Sequence, residues 1–180
     1  MRKITVQELL IEYANGKRNF QEVDLSQADL FECDLQGINL QNSNLRQAYL
    51  PYANLSRANL QGVNLTEAEL GNARLQMVNL ANANLQQANL MRSDLRYACL
   101  EGANLTGANV QSADLYEADL RFVNLSNANL SNTNLQQTQL TKANLGGCNL
   151  ARAQFADLSE AFCDGATIFP DGHRGKEGQA

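Results

Sequence analysis

Residues 53–65 read Ala53-Asn54-Leu55-Ser56-Arg57-Ala58-Asn59-Leu60-Gln61-Gly62-Val63-Asn64-Leu65. A leucine recurs at every fifth residue, a small or β-branched residue stands two places before it, and Asn or Asp usually lies between. Ala28-Asp29-Leu30 and Ala128-Asn129-Leu130 repeat the unit, and the series of leucines or close stand-ins runs from Phe20 to Phe155 with Val110 in its middle. An α-helix turns about 100° per residue, so steps of five would rotate successive leucines by about 140° and leave no apolar stripe. A straight strand fails too: its side chains alternate, and an odd repeat would send successive leucines to opposite faces. The chain must therefore turn once per unit. In a short extended piece Ala28 and Leu30 share a face while Asp29 points away. With Ala and Leu inward, the chain winds into a coil lined with leucine.

On these Ala-(Asp/Asn)-Leu-X-X units, continuous from residue 18 to residue 155, the chain resembles the pentapeptide-repeat family. The resemblance implies an all-β solenoid, a right-handed four-sided β-helix with four pentapeptides per coil. A left-handed β-helix, with its hexapeptide period, does not fit. The centres from Phe20 to Phe155 then make about seven coils, a rod roughly 34 Å long at about 4.8 Å per layer. Each buried leucine stabilises by about 1.5–3 kcal/mol, opposed by about 1–2 kcal/mol per residue of backbone ordering. One coil has no neighbour to pack on, so repetition is what makes the sum favourable.

Four segments are expected: an N-terminal capping helix over 1–17, the β-helix over 18–155, an irregular final coil over 156–170 and a flexible tail over 171–180. Thr5 and Glu8 form a capping box, and Ile4 and Leu9 are placed as a hydrophobic staple. Val6, Leu9, Leu10 and Tyr13 line one helical face, and Gly16 suits the C-terminal stop. Laid across the first coil, this helix would cover strand edges that otherwise invite pairing with other chains. At the other end the register slips by three. Ala156-Asp157-Leu158 restarts the pattern, Ala161 and Ala166 take the inward place before Cys163 and Ile168, and Pro170-Asp171-Gly172 makes a turn. Phe162 and Phe169 give this end an apolar character, which makes the protein a monomer or a C-terminal end-to-end homodimer.

The 180 residues suit one domain, and the net charge of −5 without a basic stripe argues against direct nucleic-acid binding. No apolar run of about eighteen residues could span a membrane. The N-terminus does not read as a signal peptide, so a cytoplasmic protein is expected. Cys33 and Cys148 replace inward alanines roughly 27 Å apart, too far for a disulfide. Cys99 faces outward, and Cys163 lies in the irregular end. His173 is the sole histidine and sits in the polar tail, which excludes a Ser-His-Asp set and a metal site. Four Asn-X-Ser/Thr matches, such as Asn54-Leu55-Ser56, are by-products of the repeat. A convex rod with a leucine interior offers neither a cleft nor a pocket. No enzyme activity, cofactor or metal is expected.

Residues twenty apart should stack in columns. Asp24, Asn44, Asn64, Asn84, Asn104, Asn124 and Asn144 make an amide ladder, and in a neighbouring column Arg74 would sit against Asp94 while Asp94 and Asp114 repel. Two surface features stand out as candidate partner contacts. Glu22, Asp24, Asp29, Glu32 and Asp34 crowd the first coil with no basic residue between them; Phe31, Tyr49, Pro51, Tyr52 and Met91 share the face of Leu30, Leu50, Leu70 and Leu90. A non-catalytic interaction module with an unidentified protein partner is the reading these features favour. The family resemblance implies an alternative, a DNA mimic that binds DNA gyrase or another type II topoisomerase. Arg46, Arg57, Arg74, Arg92 and Arg96 leave the middle of the rod less acidic than such mimicry wants.

Overall fold

A computed structural model describes residues 1–174. From Asn19↔Asn39 to Asn134↔Gln154 each unit lays its residue before the leucine against the residue twenty later, as in Asn39↔Asn59, Asn59↔Asn79 and Asn79↔Cys99, always in parallel. Twenty residues are four five-residue units, so the backbone returns to the same side after each fourth turn. Each side contributes a single paired residue, which makes the solenoid a stack of isolated bridges.

The unit Ala58-Asn59-Leu60-Gln61-Gly62 accounts for every backbone donor it has. Ala58 N–H closes the turn on Leu55 C=O at 3.0 Å, Asn59 donates back one coil to Ile38 C=O at 2.8 Å, and Leu60 and Gly62 donate forward to Asn79 and Ala81 at 2.7 and 2.9 Å. The one N–H left, on Gln61, reaches the Asn59 side-chain oxygen at 3.2 Å. Asn and Asp therefore precede the leucine because a short oxygen there caps the donor two residues on, an Asx turn repeated along the rod. The amide ladder is a secondary use of the same groups: Asn44 donates to Asp24 at 3.0 Å and Asn144 to Asn124 at 3.3 Å.

The second residue after each leucine has positive φ all the way from Glu22 to Arg152. With the turn hydrogen bond, this is type II geometry, which ordinarily asks for glycine. Only five of these positions, Gly37, Gly62, Gly102, Gly107 and Gly147, carry it. The others hold side chains in a conformation that costs on the order of 1 kcal/mol each, and the stacked coils impose it.

Every centre from Phe20 to Leu150 is buried, as are most of the small residues two before them, in one continuous apolar cluster. The inward hydroxyls are satisfied: Ser43 donates to Phe20 C=O and accepts from Val23 N–H, and Thr133 donates to Leu130 C=O.

The N-terminus begins with a strand the sequence reading missed. β1 (Arg2–Lys3) pairs parallel with β2 (Val23–Asp24), occupying the free edge of the first coil. Helix α1 (Val6–Ala14) follows. Thr5 caps it by accepting Glu8 N–H at 3.1 Å, but only half of the expected capping box forms, because the Glu8 carboxylate pairs with Arg2 at 3.1 Å. Leu9 is fully buried, and Val6, Leu10 and Tyr13 pack on the same cluster. Gly16, at φ +93, ends the helix with Gly16 N–H on Tyr13 C=O and Lys17 N–H on Glu12 C=O, the paired bonds of a Schellman stop.

The C-terminal stretch corrects three expectations. Phe155 is 69% exposed rather than a core centre, because the chain leaves the coil after Gln154 bridges Asn134. Bridging then tightens to Asn144↔Phe162 and Asn149↔Ile168. Ile168 thus occupies the residue-before-leucine place, not the centre, and Thr167 rather than Ala166 points inward, fully buried. Its hydroxyl donates to Leu145 C=O at 2.9 Å. Pro170-Asp171-Gly172 does turn the chain, with Gly172 N–H on Phe169 C=O, and Arg174 then pairs antiparallel with Ile168. The expected flexible tail is thus part of the fold through Arg174; its remainder, 175–180, lies outside the described residues.

Candidate interaction surface

Phe31, Tyr49 and Tyr52 come together. Phe31 and Tyr49 stack with ring centroids 6.0 Å apart and planes 16° off parallel, and Tyr52 meets Phe31 edge-on at 6.0 Å. The three are 44%, 47% and 54% exposed. Backbone register explains the meeting: Tyr49 bridges Asp29, so its ring rises beside the residue that follows Leu30, and Glu32 N–H bonds Pro51 C=O. Tyr49 takes the position normally given to the Asx acceptor, and Pro51, two residues on, has no N–H that needs one. An aromatic ring enters the repeat there without orphaning a donor.

Met91 does not join the trio. It lies two coils from Pro51, with Gly71 between them in the same column, and is half-buried; its N–H bonds Asn89 and its C=O accepts from Asn72.

The acidic residues of the first coil spread over several columns. Asp24 bridges Asn44, Asp29 bridges Tyr49, and Asp34 bridges Asn54, whose amide donates to it at 2.9 Å. Glu22 and Glu32 occupy two corners with φ of 55° and 54°. The expectation of an acidic coil without basic neighbours is corrected on one side, where β1 pairs Lys3 with Asp24. Hydrogen bonds from Ser26, and less so the Lys3 charge and Asn44, hold the Asp24 carboxyl below its ordinary pKa. Asp29, Glu32 and Asp34 form no ion pair among the described residues. Glu69, on the far side of Tyr49 in the same column, forms none either and accepts from the Asn89 amide at 2.7 Å.

In the middle of the rod, Arg74 bridges Asp94 through the backbone but makes no ion pair with it. Asp94 is taken by Arg96 at 2.7 Å, and the same guanidinium reaches Asp114 at 3.7 Å. The expected Asp94–Asp114 repulsion is thereby offset. Burial works to raise the Asp94 pKa, but hydrogen bonds from Arg96 and Gln76 outweigh it and hold the carboxyl below the usual range.

Further exposed apolar side chains went unread in the sequence. Met77 and Tyr97 share one corner column, Tyr97 meets Tyr116 edge-on at 5.6 Å, and Lys142 lies over Phe122 at 5.5 Å. Adding twenty to each outward position would have found them. At the C-terminal end Phe162 is exposed and Phe169 half-buried.

All four cysteines are free thiols. Burial pushes Cys148 up to about 12, so it is protonated and inert at neutral pH. Among the described residues no group of His, Cys, Asp and Glu is arranged to hold a metal ion, and no helix is long and apolar enough to cross a membrane.

The chain is similar to several solved structures. HetL, a pentapeptide repeat protein involved in heterocyst differentiation regulation from the cyanobacterium Nostoc sp., is 28% identical, with 96% of this chain and 100% of that one covered and a TM-score of 0.44. QnrB1, a plasmid-mediated fluoroquinolone resistance protein, is 16% identical over 84% of this chain and 81% of its own, with a TM-score of 0.56, a likeness of fold. A pentapeptide repeat protein from the Arabidopsis thaliana thylakoid lumen is 23% identical over 62% and 69%, with a TM-score of 0.41. No curated protein matches the chain. The profile of pentapeptide repeats matches in eight copies, over residues 18–47, 38–76, 73–111 and 113–152, and the protein is accordingly a member of the pentapeptide repeat family, an all-β solenoid.

Proposed function

We propose that this chain is a non-catalytic interaction module that presents a rigid solenoid side to a protein partner, with Phe31, Tyr49 and Tyr52 as the central contact. The observation that carries this reading is the contact among three aromatic rings, each about half exposed, on a backbone whose donors are committed from coil to coil. Rings held this way lose little further entropy when a partner covers them. Glu22, Asp24, Asp29, Glu32 and Asp34 would form the polar surround, and Met91 its outer edge. Affinity capture from the native host with wild-type protein and a Tyr49→Ala, Tyr52→Ala double variant tests it. A partner lost from the variant is expected; undiminished capture removes this face.

The finer architecture belongs to the same reading: a right-handed, four-sided β-helix of about seven coils from residue 18 to Gln154, a capping segment over 1–17 and a distorted closing coil that runs on through Arg174. The four units between bridged residues support the four sides, and the burial of Leu9 in the continuous core supports the cap. Free thiols throughout suit a reducing compartment, and we place the protein in the cytoplasm. Phe162 supplies an exposed ring for an end-to-end homodimer, which sedimentation of wild type against Phe162→Ala decides. The competing function, a DNA mimic acting on a type II topoisomerase, draws on the fold shared with QnrB1. It wants a continuous acidic surface, and Arg57, Arg74 and Arg92, which make no ion pair among the described residues, interrupt it. A gyrase supercoiling assay with excess protein tests that reading, and an unchanged rate ends it.

A further inference from the structure

We infer that the surface built on Phe31, Tyr49 and Tyr52 receives a basic peptide segment, with an arginine or lysine side chain against the rings and carboxylates on either side. This rests on the interaction-module reading above and adds the chemistry of the partner.

Two independent features have the same electrostatic sign. The faces of aromatic rings carry negative quadrupole charge and attract cations. The backbone register then places carboxylates around those rings: Asp29 and Glu69 are the bridge partners of Tyr49 on its two sides, and Glu32 holds the same corner as Tyr52, one coil earlier. All three are exposed and without an ion pair among the described residues, whereas Glu8, Glu12, Glu67, Glu101, Asp94, Asp114 and Asp119 are each paired with a cation of this chain. An acidic partner would meet repulsion from both features. An uncharged apolar segment would have to strip water from carboxylates it cannot pair. A cation satisfies both, and an arginine adds planar stacking and a fork matched to a carboxylate.

Fluorescence anisotropy of the full chain with a labelled alternating Arg-Gly peptide tests this, alongside Gln-Gly and Glu-Gly peptides of equal length. Binding of the basic peptide alone is expected, weakened by about tenfold in Tyr49→Ala/Tyr52→Ala and by a similar factor in Glu32→Gln/Glu69→Gln. Glu101→Gln/Glu117→Gln, which changes net charge equally but lies farther along the rod, should leave it unchanged. Equal weakening in that control would reduce the effect to overall charge and overturn the inference, as would binding no stronger than that of the Gln-Gly peptide. A host partner that needs Tyr49 and Tyr52 yet binds with no basic peptide competing it away overturns the inference and leaves the interaction reading standing. Undiminished capture by the tyrosine variant, by contrast, strikes the interaction reading itself.

Discussion

The rod from Phe20 to Leu150 and the closing stretch from Ala151 to Arg174 are made of one chain but held by different forces. In the rod, bridges fall twenty residues apart without exception and every centre is buried. In the closing stretch, bridge separations shorten, Phe155 faces solvent and the inward place next to Cys148 belongs to Thr167. Leucine stacking enforces the period where leucines recur. Where they stop, polar groups take over: Asp164 accepts from the N–H groups of Gly147, Ala166 and Thr167 at 2.9–3.0 Å, and Thr167 donates to Leu145 C=O. Gly146 has room for this carboxylate because it lacks a Cβ, which would sit 3.1 Å from an Asp164 oxygen. A non-directional force tolerates any residue of the right size in register; a hydrogen-bonded closure is specific to its members.

The contrast can be broken by mutation. Leu85→Ala, in the middle of the rod, should cost about 2–5 kcal/mol through lost transfer energy and a cavity between two rigid coils, whereas Leu158→Ala, only partly buried, should cost clearly less. Thermal melts followed by circular dichroism read both, and equal losses would dissolve the distinction. Thr167→Val keeps the shape but strands the Asp164 N–H, which donates to the Thr167 hydroxyl at 3.1 Å, and removes one of the two donors to the Leu145 carbonyl, an expected loss of about 1–3 kcal/mol. Hydrogen exchange should show the opening concentrated at the Leu150 and Ile168 amides, whose bonds close this end; protection lost evenly along the rod would contradict it. The smallest effect is a pH dependence. The Asp164 carboxyl lies below its ordinary value, chiefly through the Gly147 N–H and then the Thr167 and Ala166 hydrogen bonds. Its contribution is therefore full above the unfolded value of about 3.9 and is lost as pH falls through the folded value. Acid should loosen the closing stretch ahead of the leucine coils, and Asp164→Asn should remove that early phase. Exchange at the Gly147 amide between neutral and acid pH checks it.

Much of the molecule was legible beforehand. The apolar face of α1 reads directly from Val6, Leu9, Leu10 and Tyr13, and the columns of twenty follow once four units make a turn. The aromatic meeting of Phe31, Tyr49 and Tyr52 was legible for the same reason, since a fixed register converts sequence separation into distance. Sharing a column does not bring Met91 up to the trio, because Gly71 lies between it and Pro51. Arg74 does lie against Asp94 through the backbone, but the carboxylate pairs with Arg96, two residues on in the same turn, at 2.7 Å. The role of Asn and Asp was only half seen: the ladder was noticed, but not the Asx turn that absorbs the last unpaired N–H of each unit.

The spacing of leucines, by itself, determined that this chain bends every fifth residue and hides its aliphatic side chains along an axis, because no other path keeps them all out of water. The tertiary structure alone decided how the ends close: that Arg2 and Lys3 add a strand to the first coil, that Thr167 takes the inward small-residue place at the last, and that the corner residues accept positive φ. Those outcomes depend on hydrogen bonds between residues about twenty apart, whose geometry exists only after the coils have stacked.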